Sequence, residues 1–229
     1  MTISILAFDE ETGSYGGAAT TGSLCVGGWV LRGDTESGLS ASQGSLPSTL
    51  WGTDTLAAMR AGKFAKDAVL GVVNADAGRA QRQLAVLDPM GGVFAFTGED
   101  SIPAAGSRSG SNVIVAGNLL KNRGVIDACF EGFQTAKGSF PERLLTALEA
   151  ASREGGDSRG LLSAALLIVN RSAAPLTLRI DKSATPLSEL RALHQAATSG
   201  AYADWAMLVP TLDDPERADP YLEKADQPV

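Results

Sequence analysis

The sequence predicts an α+β fold in which two antiparallel sheets lie face to face with helices outside both, a four-layer αββα sandwich. Three observations predict it. Strand-like stretches come in blocks, helical stretches come in pairs between those blocks, and the first block starts at the first residues of the chain. A chain alternating strand and helix singly would favour a parallel doubly wound sheet instead.

The opening stretch, "MTISILAFDEETGSYGGAAT", carries the first strand pair. A strand at the very start is unusual, because chain ends fray unless a sheet ties them down. Ile3 to Phe8 is apolar, Glu10 to Gly13 reads as a turn, and Tyr15 to Thr20 is small and half apolar, which predicts an antiparallel pair. Val26 to Leu31 and Ser37 to Gln43 read as two further strands, their glycines permitting close backbone approach.

After "GSLPST" the period changes. Leu50 to Ala61 and Ala65 to Ala75 read as successive helices, the first closed by Gly62 in the left-handed conformation. Strands return at Gln81 to Asp88, Val93 to Gly98 and Asn112 to Gly117. A second helical pair follows. Val125, Ile126, Cys129, Phe130 and Phe133 form one apolar stripe; Leu144, Leu145, Leu148 and Ala151 form the next, opened by Ser139 and Glu142 at capping-box spacing. Two strands, Ser163 to Asn170 and Leu176 to Asp181, and a helix from Pro186 to Ala197 complete a single domain over residues 1–198. Residues 199–229 read as an acidic, proline-containing tail packing on the domain or on a partner subunit.

Composition narrows the function classes. The chain has 229 residues, 44% hydrophobic and 20% charged, enough to bury a large core. A net charge of −7 without a Lys/Arg cluster argues against a nucleic-acid partner. No apolar run approaches the ~20 residues that span a bilayer, and no signal-like segment opens the chain, so a cytoplasmic protein without a membrane partner is expected. Cys25 and Cys129 lack metal-ligand spacing and read as reduced and buried. One histidine with two distant cysteines makes no tetrahedral zinc site, and GxxxxGK[ST] and GxGxxG are absent, so neither metal nor nucleotide cofactor is indicated.

Six blocks in order, "TISILAFDEETG", "RQLAVLD", "TGEDSIPAAG", "AGNLL", "GGDSRGLLSAALL" and "LRIDKSATPLSELRAL", resemble a bacterial domain-of-unknown-function family, number one thousand and twenty-eight, grouped with the N-terminal nucleophile (Ntn) hydrolases. The resemblance spans about residues 2 to 195. It implies the αββα fold already reached from element order. It also implies amide-bond hydrolysis by an N-terminal Thr, Ser or Cys, with Thr2 in the matching place. A free α-amine has a pKa of about 8 and can take the proton of the same residue's hydroxyl, provided that Met1 is removed. The first lysine is Lys63 and Arg32 is the only early cation, so the early-strand lysine of the proteasome branch has no counterpart. Where the family pattern carries Cys, His and Gln, this chain has Ser101, Ser107, Ala116, Leu162 and Ser183.

The resemblance makes Asn118 a candidate oxyanion donor, its bland counterpart being a helix N-cap. Asp157 and Arg159 in "GGDSRG" are candidate site residues, against a surface ion pair after a helix cap. Gln43 with Ser42, and Ser101, Ser107 and Ser163, are candidate substrate-binding groups, Ser163 also being placed for local hydrogen bonds. His194 shares a face with Leu187 and Leu190 and reads as a packing residue. Two functions compete: a cofactor-free amidohydrolase for a small amide or acylated amine, and a small-molecule-binding or assembly protein that has lost its catalytic groups. A homo-oligomer is expected, since Ntn folds pack through their helical layers and the tail offers Trp205, Met207 and Leu208.

Overall fold

The structure is a computed structural model describing residues 2–156 and 160–218. Strands β1 (Thr2–Asp9) and β2 (Ser14–Thr21) form a hairpin whose turn places Gly13 at φ +67°. With β7 (Gly106–Gly110), β8 (Val113–Asn118), β9 (Ser163–Val169) and β10 (Leu176–Ile180) they build a six-stranded sheet in the order β10-β9-β2-β1-β8-β7. The second sheet runs β3 (Leu31–Asp34), β4 (Gly38–Gly44), β5 (Arg82–Leu87), β6 (Val93–Thr97) in sequence order. Every pairing in both sheets is antiparallel.

Alternation along each strand sorts side chains into two faces. Ile3, Ile5, Val115 and Leu166 point outward from the six-stranded sheet. They pack with Cys129 and Phe133 of α4 (Gly124–Thr135), Leu144 and Leu148 of α5 (Phe140–Glu154) and Leu190 of α6 (Pro186–Ala197). On the second sheet Leu84 and Val86 meet Trp51 and Met59 of α2 (Thr49–Arg60) and Val69 of α3 (Ala65–Asn74). Between the sheets lie Leu6, Tyr15, Ala19, Leu39, Ala41, Ala85, Leu87, Ile114 and Ala165. Each fully buried leucine contributes roughly 2–3 kcal/mol of burial, so all three layers of contact hold the sandwich. Two of these helices open on capping serines, and the Ser139–Glu142 box of α5 is the one the sequence predicts. Ser48 Oγ accepts from the Trp51 amide at 3.3 Å, and the Ser139 amide donates to Glu142 Oε2 at 2.8 Å.

The structure departs from these expectations in four places. Residues 26–31 are not one strand: Val26–Trp29 forms the short helix α1, and the strand begins at Leu31. The close approach that the glycines permit is real but serves the helix, since a Cβ on Gly27 would lie 2.7 Å from the Ala165 Cβ. The strand β7, sequence GSRSG, has no apolar signal; it forms because an edge strand needs only the backbone groups that β8 offers. The tail carries a further helix, α7 (Gly200–Ala206). Cys25 is half-buried with φ +60° rather than buried, while Cys129 is fully enclosed and its thiol is pushed up by burial. No described helix is long and apolar enough to cross a membrane.

Candidate functional site

The same alternation that builds the inner core is interrupted at one end of the sandwich. Along the inner face of β1 run Thr2, Ser4, Leu6 and Phe8; of β2, Thr21 after Ala19; of β8, Asn118 after Ala116; of β9, Ser163 before Ala165. In the second sheet Gln43 follows Ala41, Gln83 precedes Ala85, and Thr97 follows Ala95. Each of these strands ends or begins with a polar residue in phase with apolar ones. The registers align them: Ser163 opposite Thr21, Thr21 opposite Thr2, Thr2 opposite Asn118, and, across the gap, Gln43 opposite Gln83 and Gln83 opposite Thr97. β4 packs across β1 and β2, and β5 across β8, so the two polar rows face each other.

Gln83 is the centre of this cluster. Its two Nε2 hydrogens serve three acceptors, Thr97 Oγ1 at 2.8 Å, the Gly106 carbonyl at 3.1 Å and the Gly117 carbonyl at 3.0 Å, so one hydrogen is shared. Its Oε1 accepts from Gln43 Nε2 at 2.7 Å and from Asn118 Nδ2 at 3.1 Å. Gln83 is fully buried, Gln43 nearly so, and Asn118 is buried as well. Thr2 is half-exposed at the edge of the cluster, its hydroxyl donating to Thr21 Oγ1 at 3.2 Å. All of these side chains are neutral at ordinary pH. Immediately after Asn118, Leu119 takes φ +56°, a conformation that bulky residues rarely adopt, and its amide donates to the Ile102 carbonyl at 2.8 Å. That bond ties the loop carrying Ser101 beside Asn118. Ser101 is buried, and its Oγ has no partner among the described residues.

The expected site residues therefore divide. Thr2, Asn118 and Gln43 come together, with Ser101 on the adjoining loop. Asn118 is not a helix N-cap, because the next helix starts at Gly124 behind Arg123. Ser163 shares the row, but its Oγ accepts from the Val26 amide at 3.1 Å and donates to the Ser23 carbonyl at 2.7 Å, so it holds the start of α1. Ser107 is exposed on the edge strand β7. Ser42 points the other way, donating to the Ser48 carbonyl at 2.7 Å. Arg32 also faces outward, its guanidinium on the Trp29 and Gly28 carbonyls. Asp157 and Arg159 lie outside the described residues. His194 is buried against the helical layer, where burial lowers its pKa. Sequence reasoning missed Gln83, Thr21 and Thr97; the signal was available in "RQLAVL", where Gln83 holds the inward phase set by Ala85 and Leu87.

A hollow of about 320 Å³ lined by Asp9, Thr12, Phe140 and Arg143 opens at the far ends of β1 and β2, away from the cluster. Its charges answer each other, Arg143 to Asp9 at 3.5 Å. Among the described residues no group of three His, Cys, Asp or Glu side chains is placed to hold a metal ion.

A family profile described as a family of unknown function, DUF1028, matches residues 2–190. The chain belongs to the DUF1028 family. A crystal structure of a DUF1028 protein from Silicibacter pomeroyi is 50% identical, with a TM-score of 0.91 over 94% of each chain. No curated protein matches the chain. The DUF1028 match begins at Thr2 and takes in Gln43, Gln83, Asn118 and Ser163, so the whole inter-sheet cluster lies within it.

Proposed function

We propose that this DUF1028 protein is an Ntn-type amidohydrolase in which Thr2 is the nucleophile. The observation that carries the reading is the place of Thr2. It heads a central strand, half-exposed, with Thr21 on one side and Asn118 on the other, over a buried network of neutral amides. The two layers of antiparallel strand and the helices outside them are the arrangement that the Ntn resemblance implies.

The chemistry needs only groups that one residue supplies, once Met1 is removed. The Thr2 hydroxyl gives its proton to its own α-amine as Oγ1 bonds to the amide carbon, and the carbonyl becomes an oxyanion. Asn118 Nδ2 has two N–H groups and gives one to Gln83, leaving the second for that oxyanion. As the carbon–nitrogen bond breaks, the α-ammonium returns the proton to the departing amine. Water then attacks the ester as the amine takes its proton, and the α-ammonium returns that proton to Thr2 Oγ1 as the ester bond breaks, releasing a carboxylic acid.

The test is turnover of a panel of small amides by protein whose intact mass lacks methionine, beside the Thr2→Ala variant. Hydrolysis abolished by Thr2→Ala and kept in part by Thr2→Ser supports the reading. Unchanged hydrolysis in Thr2→Ala, or Met1 retained on active protein, overturns it.

A further inference from the structure

We propose that the side-chain carbonyl oxygen of Gln43 receives an N–H of the ligand at the Thr2 site, which makes that ligand a carboxamide bearing at least one N–H. The orientation of three amides follows from Gln83. Its Nε2 already faces three acceptors, the Thr97 hydroxyl and the Gly106 and Gly117 carbonyls, so its Oε1 has to be the group turned toward Gln43 and Asn118. An oxygen there accepts only from nitrogen, so Gln43 presents Nε2 to it and turns its own Oε1 away.

That Oε1 is buried, on a residue only 1% exposed, and has no hydrogen-bond partner among the described residues. Buried side-chain oxygens are normally paired, because losing water without gaining a donor is unfavourable. Gln43 lies on β4, which packs across β1 and β2, and its Nε2 shares one acceptor with Asn118 Nδ2. A ligand amide held by its carbonyl at Asn118 has an N–H to offer the Gln43 oxygen, which hangs from the same Gln83 acceptor. A carboxylate has no hydrogen to offer there, and a tertiary amide has none either. The inference rests on the Thr2 reading only for where the ligand's carbonyl lies.

The experiment uses the full chain carrying Thr2→Ala, so that binding is read without turnover. The probes are hexanamide, N-methylhexanamide, N,N-dimethylhexanamide and hexanoate; the alkyl chain suits the exposed Leu24, Leu46, Ile102 and Leu162 on loops at this end. Affinities come from titrations followed by the side-chain amide signals of Gln43, Gln83 and Asn118 in a ¹⁵N spectrum. Hexanamide and N-methylhexanamide are expected to bind and to shift the Gln43 signals, with the dimethyl amide and hexanoate at least about tenfold weaker, as a lost hydrogen bond at a buried group implies. Adding Gln43→Met is expected to erase that preference. Equal binding of all four probes, no binding of hexanamide, a preference surviving Gln43→Met, or a water kept on Gln43 Oε1 in hexanamide-soaked crystals overturns the proposal. If Gln43→Met does not fold, the ranking of the four probes and the Gln43 shifts still decide it. The expected preference without any hydrolysis by the wild-type chain would leave Gln43 assigned and remove the amidohydrolase reading.

Discussion

Gln83 Nε2 stands 3.0 Å from the carbonyl oxygen of Gly117, a hydrogen bond that joins the two sheets one residue before Asn118. Few side chains in the inter-sheet layer reach across in this way, since most of its contacts are apolar. Through this bond and the one to Gly106, the second sheet fixes where the Asn118 end of β8 sits relative to Thr2.

Replacing Gln83 by leucine keeps the volume but leaves the Gln43 and Asn118 amides without their shared acceptor and removes the donor that Thr97 and the Gly106 and Gly117 carbonyls share. Unpaired buried groups are unfavourable by about 1–3 kcal/mol each, and partial relaxation makes an overall loss of about 3 kcal/mol the expected outcome. Equilibrium urea unfolding at neutral pH reads it from the midpoint. A loss under about 1 kcal/mol would mean that the network is not what joins the sheets.

Asn118→Ala removes the proposed oxyanion donor without touching the nucleophile. Loss of one such donor lowers kcat by about 10²–10³ and leaves KM little changed. The split is the useful readout, since a structural role alone would move stability and KM before kcat. Steady-state kinetics on the best amide from the panel measures it, with a thermal melt as the control for folding.

His194 carries the clearest pH dependence. Burial lowers its pKa below the ordinary value of about 6.5; Glu142 on α5 opposes that shift, and Arg191 on its own helix adds to it. Between the folded and unfolded values the unfolded chain binds the extra proton, so stability rises with pH through that window. The neutral ring's contribution is complete above about pH 6.5 and is lost as the pH falls toward the lower folded value. His194→Gln should flatten this slope between about pH 5 and about pH 7 in urea midpoints. An unchanged slope would place the effect on other groups.

The architecture was legible because its signals are repeated along the chain. Paired apolar stripes at helical period marked α2 to α5, and the Ser139–Glu142 capping box fixed the start of α5 to the residue. β7 was illegible because an edge strand of glycine, serine and arginine is held by backbone bonds that leave no mark on side-chain choice. α1 was misread because two glycines in an apolar stretch suit a tight helix turn under Arg179 as well as a close-packed strand. At the site, Thr2, Asn118 and Gln43 could be picked out one by one. Their meeting depends on register across two sheets, a long-range property that no single stretch encodes. Gln83 shows how it could have been approached: a polar residue in the buried phase of an apolar strand requires partners, and here they come from four other strands.

β1 lies between β2, which follows it after a short turn, and β8, which starts only at Val113. During synthesis at about 5–20 residues per second, the hairpin leaves the ribosome on the order of 10 s before the strand that covers its other edge exists. For that interval β1 offers an open row of backbone donors and acceptors beside Ile3, Ile5 and Leu6, the kind of edge that pairs with the wrong chain. The first strand of a newborn chain is therefore open to mispairing for that interval, and yield at high expression should depend on how fast the ribosome reaches β8.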